Sequence, residues 1–283
     1  MQRGRRFIEY RGGVLYIAPV SHMLAPKKSL GQHFLRDENI ARNIVDSLRL
    51  RPEDRLVEIG PGQGALTKHL IGRCASLTVI EVDERAIQLL RDTFGDSITI
   101  VHADVREVSL AEIAHQQPTR VVGNIPYNIT SEILFWLFDA RNHVVDATLM
   151  VQLEVAQRFV ARKQTKEYGI LSIYLKLYAE TELLFKVSRN SFFPRPAVDS
   201  AIVRMRFHRD LPAFNEDLFR AVVRGTFGKR RKTLRNSLRF MGFSDAQLDG
   251  CDLDLSQRPE CLTAEDYLKL IRELKAIPVI DDE

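Results

Sequence analysis

Val-Val-Gly-Asn-Ile-Pro-Tyr-Asn, residues 121–128, is the stretch that decides the fold of this chain. Its two valines and Gly123 predict the end of a buried strand, and Pro126 cannot continue a regular strand ladder. The chain must therefore turn outward at Asn124. Because ligands bind at the carboxyl ends of strands in open parallel sheets, we expect the Asn124 amide, the Ile125 carbonyl and the Tyr127 ring to face a ligand.

This turn suits a planar ring that carries an exocyclic amino group. Pro126 fixes its own φ and favours an extended Ile125, so the Ile125 carbonyl is oriented before a substrate arrives. Two acceptors on the amine hydrogens would draw the amine towards tetrahedral geometry and free its lone pair, while stacking on Tyr127 would hold the ring. A plain strand-ending turn is the alternative, because Asn-x-Pro is common turn chemistry.

The strand ends upstream carry a glycine-rich turn and two acids. Residues 55–70 contain a short apolar strand, the turn Gly60-Pro-Gly62-Gln-Gly64 and a helix, and glycines let a ligand approach the backbone closely. The next strands end at Glu81, placed to reach ribose hydroxyls, and at Asp104, which can accept from an adenine amino group. The spacing Gly60-x-Gly62-x-x-Ala65 also fits a dinucleotide fingerprint, so these glycines alone leave a dehydrogenase open.

Composition predicts a globular chain with one large or two modest domains. The 283 residues are 45% hydrophobic, and no apolar run is long enough to span a membrane. The three cysteines are odd in number and scattered, which predicts neither a disulfide framework nor a metal site and fits a reducing cytoplasm. A net charge of +4 says little about nucleic acid by itself.

The chain begins with two segments that carry no regular pattern. Residues 1–22 are basic and glycine-rich and lack the apolar region of a signal peptide, so we expect a flexible basic leader. A basic arm that touches RNA is the alternative. Residues 26–36 contain the turn Gly-Gln-His-Phe, which predicts either a loop packed on the core or a flap over a bound ligand; a helix capped by Asp37 follows.

After residue 147 we predict a fifth strand that ends at Gln152, a helix over 153–162, and late strands over 171–177 and 201–207. Helical periodicity then replaces the strands, so we place a domain boundary between residues 208 and 209, with one domain over 23–208 and a helical RNA-binding domain over 209–283. This second domain carries seven cations between residues 224 and 239 with no acid among them, which favours a phosphate track over a merely solvated face: Arg224, Lys229, Arg230, Arg231, Lys232, Arg235 and Arg239.

Four motifs in the same order resemble those of the small-subunit ribosomal RNA adenine dimethyltransferases. The resemblance covers about residues 27–274 and is carried by Ser29-Leu-Gly-Gln-His-Phe-Leu35, Glu58-Ile-Gly-Pro-Gly62, Gly123-Asn-Ile-Pro-Tyr-Asn128 and Phe192-Phe-Pro-Arg-Pro-Ala-Val-Asp-Ser200. It implies the Rossmann-like class I methyltransferase fold, an α/β architecture with a seven-stranded mostly parallel sheet, followed by a small all-helical C-terminal domain.

The resemblance also implies the site. The cofactor would be S-adenosylmethionine, leaving as S-adenosylhomocysteine, with no metal. Its binding residues would be His33, Leu35, Gly60, Gly62, Glu81, Asp104 and Asn124. The target adenine would be held by Asn124, Ile125, Pro126 and Tyr127, with Phe192 over its other face. His33 departs from the pattern, since the family more often carries Asn there.

The activity that the resemblance implies is dimethylation of two adjacent adenosines in a hairpin loop near the 3′ end of small-subunit RNA, with a role in subunit biogenesis. We expect a cytoplasmic monomer that acts on an assembling 30S particle and not at a membrane. Three alternatives remain: a large-subunit RNA methylase of the antibiotic-resistance type, a non-catalytic ribosome-assembly factor on this fold, and a more distant oxidoreductase, in which Asp104 and the Asn-Ile-Pro-Tyr turn would have no task.

Overall fold

A computed structural model describes residues 8–10, 13–15 and 24–275 of the chain. Its strands, in chain order, are β1 (Ile8–Tyr10), β2 (Gly13–Leu15), β3 (Phe34–Leu35), β4 (Arg55–Ile59), β5 (Ser76–Glu81), β6 (Thr99–His102), β7 (Thr119–Asn124), β8 (Val144–Gln152), β9 (Ala179–Val187), β10 (Phe192–Phe193) and β11 (Ser200–Phe207).

The α-helices are α1 (Glu38–Leu48), α2 (Thr67–Leu70), α3 (Glu84–Phe94), α4 (Leu110–Ile113), α5 (Thr130–Asp139), α6 (Leu153–Phe159), α7 (Ile170–Tyr178), α8 (Glu216–Gly228), α9 (Leu234–Arg239), α10 (Asp245–Asp249) and α11 (Ala264–Leu274). Short 3-10 turns lie at Lys28–Leu30, Gly95–Ser97, Val105–Glu107, Tyr127–Ile129, Arg141–His143, Arg189–Ser191 and Pro259–Cys261.

The chain forms two compact units. The first comprises Met1–Val151 and Lys186–Ser200, and the second comprises Gln152–Phe185 and Ala201–Glu283. The predicted division at residues 208/209 separates the chain by expected function, and it stays a prediction. The strands do end at Phe207, and the described elements that follow are helical from Glu216 onwards.

The predicted seven-stranded, mostly parallel sheet is confirmed. In the first unit its strands run in the order β6-β5-β4-β7-β8, and each of these neighbouring pairs is parallel. The chain moves outward from β4 to β6 and then returns to the other side of β4 with β7, so the strand order reverses between β4 and β7. Clefts open at the carboxyl ends of strands at such a reversal. The register Ile59↔Gly123 brings the ends of these two strands side by side.

A local signal in the sequence explains where helix α1 begins. Asp37 caps α1 as predicted, because its Oδ1 accepts hydrogen bonds from the backbone N–H groups of Asn39 and Ile40. The helix buries Ala41, Ile44, Val45 and Leu48 on one face. These buried side chains anchor α1 in the core directly after the segment that contains β3.

In the second unit the structure differs from the sequence prediction at one element. The strand predicted over residues 171–177 is wrong, because this segment is helix α7, and the strand of this region is β9. Six of the nine residues of α7 are buried, including the polar Ser172, whose Oγ donates to the Arg158 carbonyl, and Lys176 is the one exposed residue of the helix. With a single exposed position the helix has no polar stripe, so its sequence does not show a helical period.

The other predicted elements of this unit are present. The strand over 201–207 is β11, and the helix predicted over 153–162 is the shorter α6. Helices α8, α9 and α11 account for the helical periodicity of this region, since they bury apolar residues at helical spacing: Leu218, Val222, Leu234, Leu238, Tyr267, Leu268, Ile271 and Leu274.

The predicted leader, residues 1–22, lies outside the described residues except for β1 and β2, which pair as antiparallel strands. None of the helices in the described part of the chain is both long and apolar enough to cross a lipid bilayer.

Candidate active site

A cavity opens in the first unit at the carboxyl ends of β4, β5, β6 and β7. Its walls are the segment 29–35, here called the flap, and the loops 58–66, 80–82, 103–106 and 124–129. The structure brings the predicted residues together here, with one exception, Phe192. Those that line the cavity are His33, Leu35, Gly60, Gly62, Glu81, Asp104, Asn124, Ile125, Pro126 and Tyr127.

Glycine is required in the loop after β4 because the backbone takes left-handed conformations there. Gly60 has φ +62° and Gly62 has φ +56°, a region that residues with a side chain rarely adopt. A Cβ on Gly62 would also lie 3.1 Å from Cε1 of Phe34 in β3. The loop therefore presents bare backbone to the cavity, which fits a ligand that must approach the main chain closely.

Glu81 ends β5 inside the cavity, and backbone amides hold its carboxylate. Its Oε2 accepts from Gly62 N–H at 3.1 Å, and its Oε1 accepts from Val82 and Asp83 N–H, both at 2.9 Å. Burial raises the pKa of this carboxyl, whereas these three bonds favour the charged form. Since each carboxylate oxygen has two lone pairs, Glu81 can still accept a ligand hydroxyl while it fixes the glycine loop.

Glu58 also lines the cavity, although it is not among the predicted site residues. It lies in β4 just before the glycine loop and accepts a hydrogen bond from Thr67 Oγ1 at 2.7 Å. Burial raises the pKa of Glu58 to about 8, and the nearby Glu81 acts in the same direction. Its position inside the motif Glu58-Ile-Gly-Pro-Gly was the signal that could have identified it.

Asp104, after β6, is paired with Arg106. The guanidinium donates from Nε to Oδ1 at 3.0 Å and from Nη2 to Oδ2 at 2.6 Å, which lowers the pKa of the Asp104 carboxyl. Asp104 stays ionised as a result and lines the cavity, and its Oδ2, with one bond from Arg106, can accept a further donor. An amino group on a bound ring is a suitable donor to them.

The corner after β7 lies beside the glycine loop, as the sequence predicts. A Cβ on Gly60 would come within 3.9 Å of the Asn124 carbonyl oxygen. Asn124 Nδ2 donates to the His33 carbonyl at 3.0 Å, which leaves its Oδ1 as an acceptor. Within the described residues no hydrogen bond occupies the Ile125 carbonyl oxygen either. The corner therefore supplies the two acceptors that an exocyclic amine requires.

His33 connects three parts of the site. Its backbone carbonyl orients Asn124, its ring Nδ1 lies 2.7 Å from the Pro194 carbonyl, and its ring stacks on Tyr127 with centroids 5.6 Å apart. Because a carbonyl only accepts, Nδ1 carries the hydrogen. Tyr127 is held from its other end by Ser200, since the two hydroxyl oxygens are 2.7 Å apart. His33, the residue that departs from the family pattern, thus joins the flap to the loop 124–129 and to Pro194.

Phe192 is placed differently from the other predicted residues. It pairs with Leu35 across the two-stranded ladder of β3 and β10, is only 5% exposed and does not line the cavity. Leu35, its partner, does line it. The role of Phe192 as a cover for the base stays a prediction.

The flap is attached to the sheet through Asp83, a contact that the sequence analysis missed. The Asp83 side chain is fully buried and accepts from Lys27 Nζ at 3.1 Å and from Gln32 Nε2 at 3.0 Å. Arg85 Nη2 donates to the same carboxylate. This bond, together with those from Gln32 and Lys27, lowers the pKa of Asp83. Asp83 follows the Glu81 strand end by two residues, so one junction fixes both the cavity wall and its cover.

The predicted basic run lies in the second unit. Three members are paired with acids: Arg230 with Glu260, and Arg235 and Arg239 with Asp245. Lys229 Nζ lies 4.1 Å from the centroid of the exposed Phe240 ring. The turn between α8 and α9 also exposes two cations for which the described part of the chain supplies no acid, Arg231 and Lys232; Arg224, on α8, is exposed as well.

Metal ligation has no support in the residues that the structure describes, since no group of three or more His, Cys, Asp or Glu side chains is arranged to hold an ion there. The cavity combines bare backbone, carboxylates and amides with apolar side chains. This donor set fits an organic cofactor with hydroxyl and amino groups, such as S-adenosylmethionine.

Comparison with known proteins shows the family of this chain. The profile of the family described as "Ribosomal RNA adenine dimethylase" matches residues 23–276. The chain is 42% identical over 254 residues to "Ribosomal RNA small subunit methyltransferase A" of Prosthecochloris aestuarii, which covers 90% of this chain and 96% of the relative. It is 41% identical to the protein of the same name from Acinetobacter baylyi, over 86% of this chain and 90% of the relative.

Two solved structures have the same fold. A dimethyladenosine transferase from Plasmodium falciparum has a TM-score of 0.75 and 26% identity, covering 86% of this chain and 98% of its own. The 23S rRNA methyltransferase ErmE has a TM-score of 0.63 and 30% identity, covering 86% of this chain and all of its own.

Proposed function

Because this chain belongs to the ribosomal RNA adenine dimethylase family, we propose that it methylates the exocyclic amino groups of two adjacent adenosines in a hairpin loop near the 3′ end of small-subunit ribosomal RNA. The methyl donor is S-adenosylmethionine, which when bound supplies a methyl group on a sulfonium. The observation that carries the proposal is the Asn124 corner, with two available carbonyl oxygens beside the glycine loop.

The residues of the cavity have separate tasks in this proposal. Gly60 and Gly62 offer backbone to the cofactor, Glu81 accepts from its ribose and Asp104 accepts from its adenine amino group. The flap covers the cofactor through His33 and Leu35. Each of these groups faces the same cavity, so one extended ligand can meet them all.

The target adenine is held by the corner after β7. Its two amine hydrogens are directed to Asn124 Oδ1 and the Ile125 carbonyl, which favours the geometry in which the nitrogen lone pair can attack. Tyr127, fixed by Ser200 and His33, supplies a ring face for stacking. In this proposal Phe192, which does not line the cavity in this structure, covers the opposite face of the base. The reaction is an in-line displacement, so alignment matters more than a general base, and the proton can leave after attack.

Recognition of RNA involves the second unit. The exposed cations of the basic run, above all Arg231 and Lys232, contact phosphates and supply affinity that falls with salt. An unpaired loop is a suitable target, because its bases can be turned into a pocket at little unstacking cost. We place the protein in the cytoplasm, as a monomer that acts on an assembling 30S particle.

The proposal is tested by methyl transfer in vitro. Purified protein is incubated with labelled S-adenosylmethionine and either immature small subunits or large-subunit RNA, and the label is located by nuclease mapping. We expect label in two adjacent adenosines of the small-subunit RNA. Label in large-subunit RNA would instead support the resistance-type alternative, and no transfer to either RNA would support a non-catalytic assembly factor.

A further inference from the structure

Phe193 is an exposed aromatic side chain next to the cavity, and the proposed reaction gives it no role. It is 45% exposed, whereas its neighbour Phe192 is buried. The guanidinium carbon of Arg36 lies 3.9 Å from the centroid of the Phe193 ring. A single exposed ring is common on protein surfaces, so the neighbours of Phe193 decide whether it has a role.

The ladder of β3 and β10 determines which way this pair faces. Phe193 is directly opposite Phe34, and paired residues project from the same face of a ladder. Phe34 reaches the glycine loop, since a Cβ on Gly62 would touch its ring. Arg36 is two residues beyond Phe34 and so projects from that face as well. Phe34 and Leu35 both line the cavity, whereas Phe193 and Arg36 do not, so the pair lies beside the cavity wall, next to Phe34.

The pair also adjoins the residues that position the target. Pro194, next to Phe193, accepts a hydrogen bond from the His33 ring, and that ring stacks on Tyr127. The exposed Arg195 follows in the same loop. Within the described residues neither Arg36 nor Arg195 has an acidic partner. The surface beside the cavity mouth is thus aromatic and cationic.

We propose that Phe193 and Arg36 form a stacking platform for the nucleobase next to the one that enters the cavity. This inference rests on the proposed function. Unpaired RNA bases stack on aromatic rings and on guanidinium planes, and this pair presents both, with Phe193 directly before the Pro194 that the His33 ring contacts. When one of two adjacent adenosines is turned into the cavity, its neighbour reaches the platform, which holds the strand in position and draws the pair of adenosines into one site.

The test is a cycle of two changes, Phe193→Ala in the protein and removal of the neighbouring base in a hairpin RNA that carries the two target adenosines. Removing that base should weaken binding to the wild-type protein by about tenfold, the usual effect of losing one stacked base. The same removal should have little further effect on Phe193→Ala, because the partner of the base is already absent. Affinity for S-adenosylmethionine should not change.

Matched variants separate stacking from other effects. Phe193→Tyr keeps the aromatic ring, so its binding should remain sensitive to removal of the base. Arg36→Lys keeps the charge but loses the planar guanidinium, so its binding should be less sensitive to removal of the base. Val145→Ala removes a comparably exposed apolar side chain from the other end of the sheet and should behave as wild type. A 2-aminopurine at the neighbouring position should be quenched by the wild type and not by Phe193→Ala.

Two results would overturn the platform. If the wild type methylates the hairpin but the two changes weaken binding additively, Phe193 does not contact that base. The platform proposal then fails, while the proposed function stands. If the wild type neither binds nor methylates the RNA, the proposed function fails and the platform fails with it.

Discussion

Asn124 is the residue on which the proposed chemistry depends most. Its side-chain nitrogen is held by the His33 carbonyl, so its oxygen is available for a substrate amine. Asn124→Ala should lower kcat by at least about a hundredfold, as loss of one oriented transition-state contact does, and should change the dissociation constant of S-adenosylmethionine much less. Turnover assays and calorimetry measure the two quantities. Asn190→Ala, an exposed amide of the same unit, is the control, and equal losses in turnover and cofactor affinity for Asn124→Ala would contradict the assigned role.

Glu58 gives a second prediction at the residue scale. Burial raises its pKa from the ordinary 4.5 to about 8 in the folded chain, so the folded state holds an extra proton between these values. The unfolding free energy without cofactor should therefore fall as pH rises through this window, by roughly 5 kcal/mol at 1.36 kcal/mol per pKa unit. Glu58→Gln, which can still accept from Thr67, should flatten this dependence in denaturant titrations. A wild-type protein whose stability rises over the same range would show that Glu58 is charged when folded.

Among the elements, the flap is expected to depend on its attachment at Asp83. Asp83→Asn removes the buried charge that binds Lys27 and Gln32, so stability should fall by roughly 2 kcal/mol. Hydrogen exchange over residues 27–35 should become faster, and cofactor affinity should fall. Asp46→Asn breaks an exposed pair with Arg73 and should cost less than about 0.5 kcal/mol. Unchanged exchange in the flap of Asp83→Asn would show that other contacts hold it.

The same elements show what sequence could predict. Local signals were sufficient for the Asp37 cap, the glycine loop and the strand ends, because each is written within a few residues of its effect. The Asp83 contact was not predictable, since its partners lie 51 and 56 residues earlier in the chain. Helix α7 was mistaken for a strand because the burial of most of its side chains removes the polar stripe that reveals a helix. The pairing of Arg230, Arg235 and Arg239 likewise depends on acids beyond the basic run.

At the scale of the whole molecule, RNA affinity should be governed by the cations without acidic partners. Replacing Arg231 and Lys232 by Ala should weaken binding at all sequences and reduce the slope of log K against log salt by about 2, one for each lost phosphate contact. Replacing Arg235 and Arg239, which are paired with acids, should change the slope less. Filter binding over a salt series measures this. If the RNA affinity of the wild type does not change with salt, the basic run does not bind phosphates.

The central claim is that the Asn124 corner presents an adenine amine for methylation in small-subunit RNA. Mass spectrometry of ribosomal RNA from a strain that lacks this protein, complemented with the wild type or with Asn124→Ala, tests it most directly. We predict that two adjacent dimethyladenosines near the 3′ end disappear in the deletion strain, return with the wild type and do not return with Asn124→Ala. Dimethyladenosines that persist in the deletion strain, or that Asn124→Ala restores fully, would contradict the claim.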